Sequence, residues 1–328
     1  MLRQPIWLQV FRRSIPADSH SIAILGALMS YLLLAAGSAF FLGFYDLVKK
    51  KSLDHNAVWP VLFLCTFASV VLLLPPLLLS RLYPQFAQVH HFWVPSLNAW
   101  NHLRLMLKAL IVSLSWACTY QAIKHLPISI SAPVRASAPL LTLVLAIFFW
   151  AERPSLQQWA GIAVTLVAYW IFALAGRREG SSFHRSPWVA LMFLGTLFGA
   201  LSSLYDKYLL HTVALDATTV QSWFSVYMLI LQGVWVLCFW PAQKRKEQPF
   251  QWRWSIPLVG ILLVVADQFY FRALAEPEAL LAVVTVIRRS SVAISFALGI
   301  LILKESLYLG KIFGLMGILL GVALMVLR

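Results

Sequence analysis

Charged side chains are scarce in this 328-residue chain, where only 12% of residues are charged and 61% are hydrophobic. A soluble domain normally carries roughly 25% charged residues, so the composition excludes an ordinary water-soluble fold. Apolar runs of about 20 residues recur along the whole length, and an α-helix needs that length to cross a hydrocarbon core. The sequence therefore predicts an all-α polytopic membrane protein embedded in a lipid bilayer, with little room for a soluble domain.

Cysteine and catalytic motifs are also rare. Cys65, Cys118 and Cys238 are the only cysteines, and each lies inside an apolar run, which argues against a disulfide framework or a cysteine-based metal site. There is no Walker-type glycine loop, no HExxH pair and no nucleophile elbow. We read the histidines His90, His91 and His102 as residues of one connection. We therefore expect no enzyme activity, no catalytic residue, no cofactor and no metal.

Acidic residues are few, since 12 Asp and Glu stand against 26 Lys and Arg and the formal net charge is +14. Much of the excess lies in short basic clusters between apolar runs, at 49–51, 177–178 and 244–246. Clusters at span ends are typical of anchoring to anionic headgroups. We therefore expect these residues to contact lipid and not nucleic acid.

Ten apolar segments are long enough to be transmembrane helices. They are predicted at 24–47, 57–80, 105–123, 128–150, 157–175, 188–206, 218–240, 255–274, 279–303 and 310–327. An even number of spans places both termini on the same side of the membrane.

An internal repeat relates the two halves of the chain. Matching motifs occur in the same order in each half: Tyr45-Asp46 with Tyr205-Asp206, Tyr120 with Tyr270, Val134–Ser137 with Ile287–Ser290, Glu152 with Glu305, and Gly161 with Gly314. Their shared order indicates duplication of a five-helix unit, with repeats at 1–180 and 181–328. Because five is odd, the second copy must enter the membrane from the opposite face. Inverted repeats of this kind are frequent in carriers that have a central site.

The two Arg–Ser–Glu segments carry a family resemblance. The stretch from Ala132 to Gly161 and its second copy from Ala279 to Gly321 resemble the fourth and fifth helices of EamA-type proteins, in the drug/metabolite transporter superfamily. The resemblance covers nearly the whole chain. It implies a secondary, ATP-independent transporter of a small metabolite in the cell membrane, with both termini in the cytoplasm. The distribution of Lys and Arg disagrees with that orientation, since it mildly favours termini outside.

Three arginines lie within predicted spans: Arg135 in the fourth, and Arg288 and Arg289 in the ninth. A central arginine costs on the order of 3 kcal/mol to insert, so such residues face a partner or a polar cavity. Two interpretations remain. The arginines lock helix packing through internal ion pairs, or they bind an anionic group of a solute, which suits the two parallel hydrogen bonds of a guanidinium group.

Other polar residues near these arginines are candidates for substrate contact. They are Tyr120, Ser131, Gln268, Tyr270 and Thr285. On helices, Ser131 shares a face with Arg135, as Thr285 does with Arg288. Asp267 lies in an apolar run, where it is either the partner of an arginine or a carboxylate that exchanges protons during transport.

The remaining acidic residues fall at span ends. Asp46 lies near Lys49, and Asp206 is next to Lys207, so we expect interfacial salt bridges there. Glu152 and Glu305 end the fourth and ninth spans, where we expect a structural role at a helix junction. The last span contains four glycines, which allow close helix approach. They favour internal packing, with a homodimer as the alternative.

A small-molecule carrier that works by alternating access is the leading hypothesis. The alternatives are a flippase for an anionic lipid-linked metabolite, a membrane enzyme acting on a lipid or polyprenyl phosphate, and a receptor that only binds. The inverted repeat and the lack of a catalytic cluster favour the carrier.

Overall fold

A computed structural model describes residues 17–89, 93–125, 134–135, 137–174, 186–244, 249–303 and 309–326, which form helices joined by turns. The helices of the first half are α1 (Ala17–Leu53), α2 (Val58–Leu82), α3 (Pro84–Val89), α4 (Ala99–His125), α5 (Ala138–Trp150) and α6 (Leu156–Leu174). Those of the second half are α7 (Pro187–Lys207), continued by a π-helical turn (Tyr208–Thr212), α8 (Ala217–Lys244), α9 (Ser255–Ala275), α10 (Leu281–Arg289), α11 (Ser291–Leu303) and α12 (Leu309–Val326).

The all-helical membrane fold is confirmed. Within the described residues, five helices are long and apolar enough to cross a membrane: Ser30–Leu53, Val58–Leu82, Pro187–Thr212, Ala217–Pro241 and Ser255–Ala275. Three further apolar helices are shorter, at Ala138–Trp150, Leu156–Ile171 and Ile312–Met325. Each of the ten predicted spans overlaps a helix. The N-terminal part of the fourth predicted span, 128–133, lies outside the described residues.

The ninth predicted span differs from expectation, because it is broken into α10 and α11 at Ser290. The Ser290 hydroxyl donates to the carbonyl of Ile287 at 2.6 Å, which satisfies a group at the end of α10. In the first half, the Ser137 hydroxyl makes the matching 2.6 Å bond to the carbonyl of Val134. The repeated motif therefore makes the same local bond twice.

Helix packing is reciprocal between the halves. The helix α1 packs on α9 and α11, and its counterpart α7 packs on α4 and α5, which are the counterparts of those two partners. The pairs α2–α8 and α6–α12 each join equivalent helices of the two halves. This arrangement places the space between the repeats at the centre of the bundle.

Helix contacts distinguish the two ends of the bundle, which we call the terminal end and the far end. At the terminal end, α6 begins beside the end of α12, and Gln157 Nε2 donates to the carbonyl of Leu324 at 3.0 Å. At the far end, α1 finishes beside the start of α9, and Ser52 Oγ donates to Ser255 Oγ at 2.7 Å.

Two glycines set the distance between α6 and α12. A Cβ atom on Gly161 would lie 2.7 Å from the carbonyl oxygen of Gly321, and a Cβ on Gly321 would lie equally close to that of Gly161. These distances are too short for any side chain, so glycine is required where the helices cross. The predicted glycine face of the last span is thus used for internal packing at this position.

Candidate functional site

Two polar cavities meet between the repeats, in the middle of the bundle. The inner chamber has a volume of about 240 Å³ and the outer chamber about 590 Å³. Both are lined by Ser115, Trp116, Gly199, Ser203, Arg288 and Arg289. We call the two chambers together the central cavity. A cavity of this size suits a small solute.

The outer chamber extends toward the far end of the bundle. Its lining reaches Lys50 and Leu53 in the last turn of α1, and it includes Thr119 near the end of α4. In the other direction, the inner chamber ends against Phe271 and Asp206, beyond which α7, α9 and α10 pack closely together. The central cavity is therefore directed toward the far end and sealed at the terminal end.

Arginines dominate the outer chamber. Arg135 and Arg289 both line it and both are exposed to it. Among the described residues, neither lies within ion-pair distance of a carboxylate. Of the residues that the structure describes, five basic side chains line the chamber together with one acidic side chain, Asp46. Its electrostatic potential therefore favours an anion.

The break between α10 and α11 explains how two arginines reach the cavity. Arg288 and Arg289 occupy the last turn of α10, where basic side chains are favoured by the partial negative charge of the helix C-terminus. The sequence places Arg135 in the equivalent turn just before Ser137. Each repeat thus supplies arginine just before a serine turn that precedes an apolar helix, α5 in the first repeat and α11 in the second.

Arg288 differs from its neighbour because it is paired. Its guanidinium donates to Asp267 on α9, and its Cζ atom lies 4.1 Å from the centre of the Tyr270 ring. Both members of the pair line the inner chamber. Of the two interpretations of Asp267, the ion pair with an arginine is present, and it leaves Asp267 at the cavity wall. Arg288 Nε has no partner among the described atoms.

A second buried ion pair was missed by the sequence interpretation. Lys108 on α4 donates to Asp206 on α7, and the Tyr270 hydroxyl donates to the other carboxylate oxygen at 3.2 Å. Lys108 is 2% exposed and Asp206 is 4% exposed. The expected interfacial salt bridge of Asp206 with Lys207 was therefore wrong. The signal was available, because Lys108 interrupts the apolar run 105–112 as the arginines interrupt theirs.

Lys207 instead points away from the central cavity, toward the terminal end. Its Nζ atom lies 2.7 Å from a carboxylate oxygen of Glu152, in the turn between α5 and α6. Glu152 also accepts hydrogen bonds from the backbone of α10. This agrees with the structural role that we expected for Glu152 at a helix junction. Glu305 lies outside the described residues.

The other predicted site residues have different outcomes. Tyr270 lines the inner chamber and Thr285 lines the outer one. Gln268 lines neither, because it faces α8 and donates to Thr218 Oγ1 at 2.8 Å. The Tyr120 side chain and Ser131 lie outside the described residues. Hydroxyl groups on four helices were not predicted, and they line the inner chamber: Thr66, Ser69, Ser115, Ser202, Ser203 and Ser225.

Within the described part of the chain, no group of three His, Cys, Asp or Glu side chains could hold an ion. The two cavity acids of the inner chamber, Asp206 and Asp267, are each engaged by a cation. The arrangement can bind a charged solute through exchange of these ion pairs.

Comparison with known proteins agrees with the fold and with the duplication. A solved protein structure is similar over 90% of this chain and 96% of its own, with a TM-score of 0.66 and 18% identity, a likeness of fold alone. No curated protein sequence is a significant match. The sequence model of the EamA-like transporter family matches twice, at residues 29–174 and 186–327. The resemblance inferred from the Arg–Ser–Glu segments is thus confirmed, and this chain is an integral membrane protein that belongs to the EamA-like transporter family.

Proposed function

We propose that this protein is a secondary transporter that carries a small anionic solute through the central cavity by alternating access. The observation that carries the proposal is the pair of exposed arginines, Arg135 and Arg289, without a carboxylate partner among the described residues. Unpaired arginines inside a membrane protein are costly to keep, so they mark a ligand site in preference to a packing device. An arginine that is paired within the protein needs no ligand to compensate its charge, as the ion pair of Arg288 with Asp267 shows.

The chemistry of the arginines defines the solute group. A guanidinium donates two parallel hydrogen bonds in one plane, which fits a carboxylate or a phosphate. Arg135 comes from the first repeat and Arg289 from the second. One anion between them would relieve their mutual repulsion and draw the repeats together, as closure over a substrate requires. The hydroxyl groups of the inner chamber suit a solute whose remainder is polar.

Ion exchange supplies a coupling mechanism that is part of the proposal. A solute anion that attracts Arg288 would leave Asp267 without its cation. Asp267 would then take up a proton, so that the anion and the proton cross together. No step requires ATP, and no catalytic residue is proposed.

The proposed architecture has ten spans in two inverted repeats, at 1–180 and 181–328, with both termini in the cytoplasm of the cell membrane. The reciprocal packing of the halves supports it. In this arrangement the α1–α2 turn and its counterpart before α8 face opposite sides. Cysteines at the exposed positions His55 and Asp216 should therefore label from opposite faces. Labelling of both from one face would contradict the inversion.

The solute can be identified with the purified protein. Thermal stability is screened against a panel of small carboxylates and phosphates, and hits are tested for uptake into liposomes. Arg135→Gln and Arg289→Gln should each weaken binding about 10- to 100-fold, since a charge-assisted hydrogen bond is worth ~1.5–3 kcal/mol. Arg289→Lys should restore part of the loss because it keeps charge without the fork. Arg81→Gln, exposed at the end of α2, is the control. Normal affinity in both Gln variants, with folding intact, would exclude the arginine pair as the solute site.

A further inference from the structure

A buried cluster closes the terminal end of the bundle. The Glu152 carboxylate accepts hydrogen bonds from the backbone N–H groups of Leu281 at 2.7 Å and Ala282 at 3.2 Å, and it pairs with Lys207. Lys207 Nζ also donates to the carbonyl of Ala279 at 3.0 Å. The Glu152 and Lys207 side chains are 2% and 10% exposed. We call Glu152, Lys207 and the first turn of α10 the latch.

The latch joins the two repeats. Glu152 belongs to the first repeat, whereas Lys207 and α10 belong to the second. A carboxylate at a helix N-terminus satisfies free N–H groups and complements the helix dipole. Away from water, the lysine compensates the remaining charge. If the repeats rock apart at this end, these bonds must break, whereas contacts inside one repeat can persist.

The latch is connected directly to the solute site. The helix α10 has nine residues, its first turn is held by Glu152, and its last turn carries Arg288 and Arg289. On α7, Lys207 of the latch follows Asp206, which lines the inner chamber. A short helix moves as a rigid rod of roughly 13 Å. Displacement of its arginines by a bound anion would therefore also move its first turn, which Glu152 holds.

The internal repeat explains why the terminal end is the closed one. Tyr205-Asp206-Lys207 corresponds to Tyr45-Asp46-Leu47 in the first repeat. Leu47 lacks the ammonium group that Lys207 supplies. The far end therefore has no equivalent of Lys207 at this position, and the outer chamber reaches toward that end.

We propose that Glu152 and Lys207 are gating residues, whose bonds across the repeats hold the terminal end closed while the central cavity is open to the far end. The inference rests on the proposed alternating access and adds to it the contact that must break. It assigns Lys207 a role distinct from solute binding. Loss of the latch should shift the resting population toward the opposite conformation.

Cysteine accessibility tests the gate without a known solute. In the full chain with its three native cysteines replaced, Ala279→Cys reports on the closed end, where Ala279 is 1% exposed. Thr119→Cys reports on the outer chamber. Each reporter is combined with Glu152→Gln or Lys207→Met, and labelling by a soluble maleimide is timed in nanodiscs. Arg153→Gln is the matched control, because Arg153 is adjacent to the latch but exposed.

In the latch variants, we expect maleimide to label the cysteine at position 279 about tenfold faster and the cysteine at position 119 more slowly. The two rates change in opposite directions because one end opens as the other closes. Lys207→Arg keeps the charge and should restore both rates. If Lys207→Met does not fold, Glu152→Gln alone tests the loss of the contact. Faster labelling of Ala279→Cys alone would show a local cap and overturn the gating role, as would no change in either rate. Wild-type uptake is measured separately. If the wild type takes up an anion but the latch variants do not change both labelling rates, only the gating role is refuted. If the wild type takes up no anion of the panel, the proposed transport function is refuted.

Discussion

Removal of either member of the Lys108–Asp206 ion pair leaves one charge buried in the bundle, but the two removals are not equivalent. After Lys108→Met, Asp206 retains the Tyr270 hydroxyl at 3.2 Å as its hydrogen-bond donor among the described residues. After Asp206→Asn, the Lys108 ammonium still lies 4.2 Å from the centre of the Phe224 ring and 4.9 Å from that of Phe271. Aromatic faces attract cations, so the lysine stays partly compensated.

The magnitudes follow from this difference. Breaking a buried ion pair by removing one partner costs about 3–5 kcal/mol, which we expect for Lys108→Met. A desolvated cation–π contact is worth up to about 2 kcal/mol, so Asp206→Asn should cost about 1–3 kcal/mol. The double variant, Lys108→Met with Asp206→Asn, leaves neither charge of this pair uncompensated, and we expect its stability to lie within about 1 kcal/mol of the wild type. For a chain of this length, each kcal/mol lowers Tm by roughly 2 °C.

Thermal unfolding is followed by tryptophan fluorescence in one detergent for the wild type, the two single variants and the double variant. The Tm values give the order of their stabilities. The exposed substitution Arg81→Gln controls for a simple change of net charge. A double variant that loses as much stability as the two single losses combined would refute the reasoning, because the pair would then not be a pair energetically. Greater damage from Asp206→Asn than from Lys108→Met would show that the aromatic rings do not hold the lysine.

Three further changes test other contacts. Gly321→Val forces α12 away from α6 and should lower stability by about 1–3 kcal/mol, with Gly321→Ala intermediate. Equal Tm values for the wild type and both variants would contradict the tight crossing. Asp267→Asn should fold and exchange solute but lose uptake driven by a pH gradient, and unchanged uptake would leave Asp267 a structural partner of Arg288. Tyr270→Phe keeps the ring beneath Arg288 and removes the hydroxyl bond to Asp206, so it should cost about 1 kcal/mol in thermal unfolding, whereas Tyr270→Leu should cost more.

Contacts between helices are the feature that the sequence predicts least well. Asp206 was assigned to its neighbour Lys207 because the two residues are adjacent, yet they point to different partners, Lys108 and Glu152. Consecutive residues on a helix lie about 100° apart, so adjacency does not bring their side chains together. Gln268 was likewise assigned to the cavity, but its position on α9 directs it to Thr218 on α8.

Hydropathy, the order of repeated motifs and the positions of Arg135, Arg288 and Arg289 were determined by the sequence alone. They identified a duplicated helical membrane protein of the EamA-like family because these signals are local and repeat along the chain. The tertiary structure decided which arginines are paired, which remain exposed, and which end of the cavity is closed. Those properties depend on helices far apart in the sequence that pack between the repeats. The same residue types at the same spacings would be compatible with several different pairings, and only three-dimensional packing selects one.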